Sequence, residues 1–274
     1  MARPRARRSR VNGPTHPYFR TPGGVVALAH RGFSRDGLEN SMAAFAAAVE
    51  LGFTHVETDA HGTADGVAVA LHDAALDRTT DATGLVADLP WAQVRTARIG
   101  GVEPVPLLED VLGTWPHVRV NVDVKATSGI RPVADAIERT RAHERACVTS
   151  FSPARRRATL ALLTRPVATS SGTSEVAAFL LAARAGAPHA PFGALARHAL
   201  RRVDALQVPE RHGRVRVVDA RTVAAAHAAG RAVHVWTVND PADMHRLLDL
   251  GVDGIVTDRA DLLRDVLVAR GRWT

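Results

Sequence analysis

Two histidines and three carboxylates stand in, or just after, short apolar runs of the chain. His30-Arg31-Gly32 follows the run 25–29, and His72-Asp73 follows the run 67–71. Imidazole titrates near neutral pH, so two of them at one site can serve as a general base and a general acid. Glu57 and Asp59 lie two residues apart in the run 55–59. Asp123 and Lys125 have the same spacing at the end of the run 118–124. On an extended strand that spacing sends both side chains to one face. Carboxylates gathered on one face repel each other unless a cation joins them, and an all-oxygen donor set suits a hard ion, Mg2+ or Ca2+. No His or Cys set has zinc spacing. With Arg31 and Lys125 beside them, these groups suit cleavage of a phosphodiester. One imidazole deprotonates the nucleophile, the other protonates the leaving alcohol, and cations stabilise the charge that builds at phosphorus. Each residue alone has a plainer reading. The chain holds 13 histidines, an isolated carboxylate is usually a cap or surface charge, and Trp236 is more often core than ligand platform. Their joint placement at strand ends carries the argument.

The elements that must position them follow a rhythm. Strand candidates are 25–29, 55–59, 67–71, 118–124, 147–150, 166–169, 205–208, 232–235 and 254–256. Helix candidates are 40–51, 107–114, 131–142, 153–163, 174–185, 220–229, 241–250 and 259–269. In 40–51, Met42, Phe45, Ala46 and Val49 recur at helical spacing, with Asn40 or Ser41 as cap. Pro153 and Pro241 fall at first helical turns, and Gly186, Gly230 and Gly251 fall where helices should stop. Strands alternating with helices of this length mean βαβ units around a parallel sheet. About eight units in roughly 250 residues predict an α/β chain folded as a (β/α)8 TIM-type barrel, with an open doubly wound sheet as the alternative. Catalytic groups then belong at the C-terminal ends of the strands. The stretch 74–106 reads as a small insertion after the second strand region, and 187–202 as an elaborated crossover with a short helix.

Charge points elsewhere at first and then returns to the same place. The chain carries 35 basic and 28 acidic residues, formally +7. Six arginines and no acid fall within residues 1–20, so the remainder is near neutral. A basic nucleic-acid-binding body is thereby excluded as the default. Residues 1–22 are expected to be a disordered basic tail, touching anionic surfaces only weakly, and residues 23–274 a single barrel domain. No run of 18 apolar residues predicts a membrane span. No apolar stretch follows the early arginines to make a signal peptide, and the lone Cys147 allows no internal disulfide, so a cytoplasmic location is expected. Lys125 is the only lysine in the chain.

In order and spacing, these residues resemble the glycerophosphodiester phosphodiesterase family, from about residue 25 to the C-terminus. The pieces are Ala29-His30-Arg31-Gly32, Glu39-Asn40-Ser41, Glu57-Thr58-Asp59, Ala64-Asp65-Gly66, Leu71-His72-Asp73 and Leu76-Asp77-Arg78-Thr79-Thr80. Val122-Asp123-Val124-Lys125, Ser150-Phe151, Trp236-Thr237-Val238-Asn239 and the run 251–258 follow. The resemblance implies a TIM-type barrel that hydrolyses small glycerophosphodiesters to an alcohol and glycerol 3-phosphate. It implies that His30 and His72 are the acid/base pair, and that the substrate's own 2-hydroxyl attacks to give a cyclic phosphate. It makes Glu57, Asp59 and Asp123 the holders of one divalent cation, Mg2+ or Ca2+. Arg31 and Lys125 would contact phosphate, and Trp236 the glycerol or leaving group. Glu39 and Asn40 take a supporting role, with helix capping as the alternative.

Two departures stand out. The family's usual Glu-x-Lys reads Asp123-Val124-Lys125, a shorter reach by one methylene. Its usual Thr-Asp-x-Pro ending reads Thr257-Asp258-Arg259-Ala260, expected to bear only on how the last helix starts. Two other readings stay open. A lysophospholipase D or sphingomyelinase-like enzyme would use the same site with an apolar rim, for which Phe151, Phe179, Phe192 and Trp236 are candidates. An inactive barrel would instead bind nucleic acid or anionic membrane through the arginine tail, against which the intact histidine and carboxylate set argues.

Overall fold

The computed structural model describes residues 13–185 and 192–273. Eight strands form its centre: β1 (Val26–His30), β2 (His55–Gly62), β3 (Arg119–Val124), β4 (Ala146–Thr149), β5 (Ala168–Thr169), β6 (Ala205–Pro209), β7 (Ala232–Trp236) and β8 (Gly254–Thr257). A helix follows each in turn: α1 (Met42–Glu50), α2 (Leu108–Thr114), α3 (Ile130–Arg139), α4 (Pro153–Leu160), α5 (Thr173–Ala185), α6 (Ala220–Ala228), α7 (Pro241–Leu250) and α8 (Ala260–Ala269). The strands are short, rich in Val and Ala, and buried on both faces, as strands covered by helices must be. Their neighbours run β5-β4-β3-β2-β1-β8-β7-β6, all parallel. The open ends of that order meet through one parallel bridge, Ser170 to Ala205. Two further backbone bonds, Ser171 N–H to the Ala205 carbonyl and Asp204 N–H to the Thr169 carbonyl, each 2.9 Å, help to close a (β/α)8 barrel.

Local chemistry sets the helix ends. Ser41, Ser152, Asp219 and Asp240 accept backbone N–H groups as N-caps, and Gly251 ends α7 in the left-handed region at φ 95°. Gly186 lies outside the described residues.

Two expectations change. The run 67–71 is not a barrel strand: Ala68–Ala70 turns back antiparallel onto the end of β2. It leads instead into residues 74–106, which carry two short helical turns, a two-stranded ribbon and a small core of their own around Leu71, Leu76, Val86 and Ile99. The predicted tail divides. Residues 1–12 lie outside the described residues, but Pro17–Phe19 form a helical turn against the base of the barrel. Tyr18 is fully buried there beside Cys147 and Ala168. His16 caps that turn, so this polar part of the expected tail is fitted against the barrel. Of the crossover 187–202, the described part is the helix Phe192–Ala199.

Candidate active site

Strand register brings the predicted groups together at the C-terminal rim. His30 on β1 pairs with Glu57 on β2, Asp59 with Asp123 on β3, and Asp123 with Thr149 on β4. The chain then turns sharply after His30. Arg31 and Gly32 both take positive φ, 56° and 83°, and a Cβ on Gly32 would lie 2.6 Å from the Ala44 backbone. A left-handed arginine is strained by about 1–3 kcal/mol. Here the turn aims the Arg31 N–H at Glu57 Oε2, 3.2 Å away, and the guanidinium at Glu39 (2.8 Å) and Asp59 (3.0 Å).

Asn40 shows why it is not the cap of α1, a role Ser41 fills. It is fully buried with φ 60°. Its amide donates to Asp59 Oδ2 (3.2 Å), and its carbonyl accepts from Thr58 Oγ1 (2.8 Å). Glu39 is no cap either: it joins Arg31 to Arg78, whose Nη2 lies 2.7 Å from Glu39 Oε1.

Lys125 sits between two carboxylates, 2.8 Å from Asp59 Oδ1 and 2.9 Å from Asp123 Oδ2. Burial works against its charge, but these two neighbours hold its pKa above the ordinary value. Burial and Asp59 push Glu57 well above the usual carboxylate range. Burial also raises Asp123, while Lys125 and Arg31 outweigh burial at Asp59 and lower it.

Among the described residues, no three His, Cys, Asp or Glu side chains are gathered closely enough to grip an ion as they stand. The trio Glu57, Asp59 and Asp123 is adjacent, but Lys125, Arg31 and Asn40 already engage Asp59. Two observations nevertheless fit a cation. Asp123 Oδ1 is buried with no hydrogen-bond partner, and Glu57 is charged only at a cost. Both mark negative charge that the resident cations do not offset, on oxygen donors suited to a hard ion.

Each of the two histidines is backed by a carboxylate that sequence reading had not given a role in the chemistry. His30 Nδ1 lies 2.5 Å from Asp258 Oδ1, and Asp258 is held in turn by Asn239 Nδ2 at 2.8 Å. His72 Nδ1 lies 2.6 Å from Asp73 Oδ1, and Asp73 is gripped by Arg78 Nε at 2.5 Å. Burial alone would lower the His30 pKa; Glu57 and Asp258 together raise it. The signal was present: Asp73 follows its histidine directly, and Asp258 follows β8 as His30 ends β1. The sequence offers Asp258 only as part of the run 251–258 and of the Thr257-Asp258-Arg259-Ala260 ending, with no role of its own.

His30, Arg31, Glu57, Asp59, His72, Asp123 and Lys125 line one side of a cleft of about 440 Å³. Trp236 and Phe151 form part of its wall, edge to face with ring centroids 5.7 Å apart. Phe179, by contrast, is buried in the core, and nothing is described of the Phe192 side chain. Beneath the site, Gln207 donates to Asn121 (2.9 Å) and accepts from Ser170 (3.3 Å), so the polar floor is tied across the barrel.

Comparison with known proteins agrees with this geometry. The sequence model of the glycerophosphoryl diester phosphodiesterase family matches residues 30–262. A Mycobacterium tuberculosis protein named "Probable glycerophosphodiester phosphodiesterase 2" is 49% identical over 261 residues, which cover 95% of this chain and 97% of that protein. A glycerophosphodiester phosphodiesterase of Caldanaerobacter subterraneus is 28% identical over 269 residues, 90% of this chain and 99% of that one. Among solved structures, an Oleispira antarctica phosphodiesterase in complex with the product sn-glycerol-3-phosphate superposes with a TM-score of 0.72 at 20% identity, covering 88% of this chain and 96% of that chain. The extent of the match and the identity to the mycobacterial protein establish that the chain belongs to the glycerophosphoryl diester phosphodiesterase family, a family of phosphoric diester hydrolases.

Proposed function

We propose that the protein hydrolyses glycerophosphodiesters to an alcohol and glycerol 3-phosphate, with His30 and His72 moving the protons. The observation that carries this reading is a pair of carboxylate-backed imidazoles at one cleft that also holds Arg31 and Lys125. In each pair the carboxylate takes Nδ1, which leaves Nε2 as the nitrogen that can exchange a proton with substrate. One Nε2 removes the proton of the substrate's 2-hydroxyl as that oxygen attacks phosphorus. The other protonates the departing alkoxide. Water then opens the cyclic phosphate with the roles reversed. Lys125 and Arg31 meet the phosphate oxygens as a compact ammonium and a planar fork. Trp236 and Phe151 shape the wall against which the departing alcohol rests.

Glu57, Asp59 and Asp123 would hold one divalent cation, Mg2+ or Ca2+, which when bound neutralises their charge and polarises the phosphoryl oxygens. The product bound in the Oleispira relative supports the choice of substrate.

The test is a turnover panel of glycerophosphocholine, glycerophosphoethanolamine and glycerophosphoglycerol, before and after exhaustive chelation. Glycerol 3-phosphate should appear, should cease with EDTA, and should return with Mg2+ or Ca2+. Release of an alcohol without glycerol 3-phosphate would overturn the substrate assignment. Activity that withstands chelation would remove the cation.

A further inference from the structure

The insertion 74–106 sends one side chain, Arg78, to the residues of the rim. Arg78 lies on a turn pinned at both ends. Leu76 is buried in the insertion's own core, and its N–H donates to the Gly84 carbonyl (3.0 Å). Thr80 Oγ1 donates back to the Leu76 carbonyl (2.8 Å), and the Gly84 N–H donates to Asp77 Oδ2 (3.0 Å). The facing loop, between β1 and α1, is fixed by packing. Its Leu38 seats against the same core, so near Gly100 that a Cβ there would lie 2.6 Å from Leu38 Cδ2. Glu39 follows Leu38 directly. An apolar contact thus sets how far Glu39 lies from Arg78.

The Arg78 fork turns both of its edges to carboxylates. Nε meets Asp73 Oδ2 at 2.5 Å, and Nη2 meets Asp73 Oδ1 at 3.1 Å. Nη2 also meets Glu39 Oε1 at 2.7 Å, and Nη1 meets Glu39 Oε2 at 3.3 Å. Each carboxylate serves a different group of the site. Asp73 holds His72 Nδ1, and Glu39 holds Arg31 Nη1. The row His72, Asp73, Arg78, Glu39, Arg31 therefore runs from one side of the proposed chemistry to the other. Arg78 holds the Asp73 carboxyl well below its usual range, and at Glu39 burial is outweighed by Arg78 and Arg31.

The Arg78 side chain is 48% exposed. Ion pairs this open to water add little to stability, so what the fork contributes is geometry. Without it, two carboxylates within reach of one nitrogen would stand unopposed and move apart. We propose, resting on the phosphodiesterase reading above, that Arg78 is a positioning residue that couples the two halves of the reaction centre. Through Asp73 it aligns His72 for proton transfer, and through Glu39 it aligns Arg31 on the phosphate. An arginine is required, because an ammonium is a point charge and cannot present two edges.

Steady-state kinetics test the two branches separately, on whichever of glycerophosphocholine, glycerophosphoethanolamine and glycerophosphoglycerol the wild type cleaves fastest. Arg78→Ala should lower kcat about 10- to 100-fold, because a misaligned His72 transfers its proton poorly. It should raise KM about fivefold, because Arg31 keeps Asp59 (3.0 Å) but loses the fixed place of its second anchor. Arg78→Lys should restore at most one of the two constants; restoration of both would overturn the two-edged role. Two further backgrounds separate coupling from general damage. Beside Asp73→Asn, Arg78→Ala should no longer lower kcat but should still raise KM. Beside Glu39→Gln, it should no longer raise KM but should still lower kcat. Damage to the fold would instead multiply each constant by the same factor in every background. That outcome, or a change below twofold in both constants for Arg78→Ala, would overturn the proposal and leave the phosphodiesterase reading intact. No turnover of any of the three diesters by the wild type would remove the reading beneath it as well.

Discussion

Both ends of the barrel hold a pair of histidines, and the two ends treat them in opposite ways. At the C-terminal rim, His30 and His72 each face a carboxylate within 2.6 Å. At the base, His55 and His234 are fully buried. His55 meets the Tyr18 carbonyl at 2.8 Å, and His234 meets the Gln207 amide nitrogen at 3.4 Å. Burial pushes their pKa values down, to about 4 and about 3. The residue type is the same and the scaffold is the same; the partner differs. At His30 the carboxylates hold the imidazole's pKa up despite burial, whereas at His55 the Tyr18 carbonyl offsets burial only in part and leaves a neutral packing group.

The comparison breaks most readily at the rim. His30→Ala and His72→Ala should each lower kcat by about two to four orders of magnitude, with urea unfolding little changed. A loss below tenfold in either would mean that carboxylate backing does not mark the chemistry. At the base the converse holds. Tyr18→Ala should cost about 3–5 kcal/mol of stability, read by urea unfolding, while turnover per folded molecule stays at the wild-type level.

A pH experiment sharpens the contrast further. The folded protein keeps His55 neutral down to about pH 4, while the unfolded chain takes up a proton below about pH 6.5. Its contribution is therefore fully present above pH 6.5 and is lost as pH falls toward 4. Between pH 7 and pH 5 the wild type should lose about 2 kcal/mol that His55→Gln does not lose, measured as the difference between their urea midpoints at the two pH values. The smallest expected effect is that of Lys125→Arg. The planar guanidinium must fit between Asp59 and Asp123, where a compact ammonium now sits, and kcat/KM should fall about tenfold. Unchanged kinetics would make the singular lysine an accident of composition.

The rim was the more legible end in the sequence, for a physical reason. The residues proposed to move protons, hold a cation or meet phosphate are polar or charged, so His30, Glu57, Asp59, His72, Asp123 and Lys125 stand out against apolar strands. The eight barrel strands were legible by the same contrast. The run 67–71 was misplaced because an antiparallel return strand and a buried parallel one share the same apolar signature. Tyr18 was missed because its flanking prolines and polar residues describe a turn equally well in solvent and against a barrel base. Asp258 and Arg78 touch a second side chain of the site; Asp258 lies 228 residues from His30 in sequence, and its place just after β8 is the one hint of that contact.

The junction of β5 and β6 has a consequence for how the molecule breathes. Seven of the eight joints between barrel strands are ladders; this one rests on a single bridge and two flanking backbone bonds. With the bonds from Thr169 N–H to Asp204 Oδ2 (3.0 Å) and from Ser170 Oγ to Gln207 Oε1 (3.3 Å) added, the joint still has no continuous ladder, so it should open more readily than its neighbours. In amide exchange, Ser171 and Asp204 should take up deuterium well before the interior of β2 or β3. Ser171 and Val208 flank that joint and line the cleft. A brief parting there would widen the cleft beside β6, while the Arg156–Glu175 pair holds α5 and the ladders between β1, β2 and β3 stay closed.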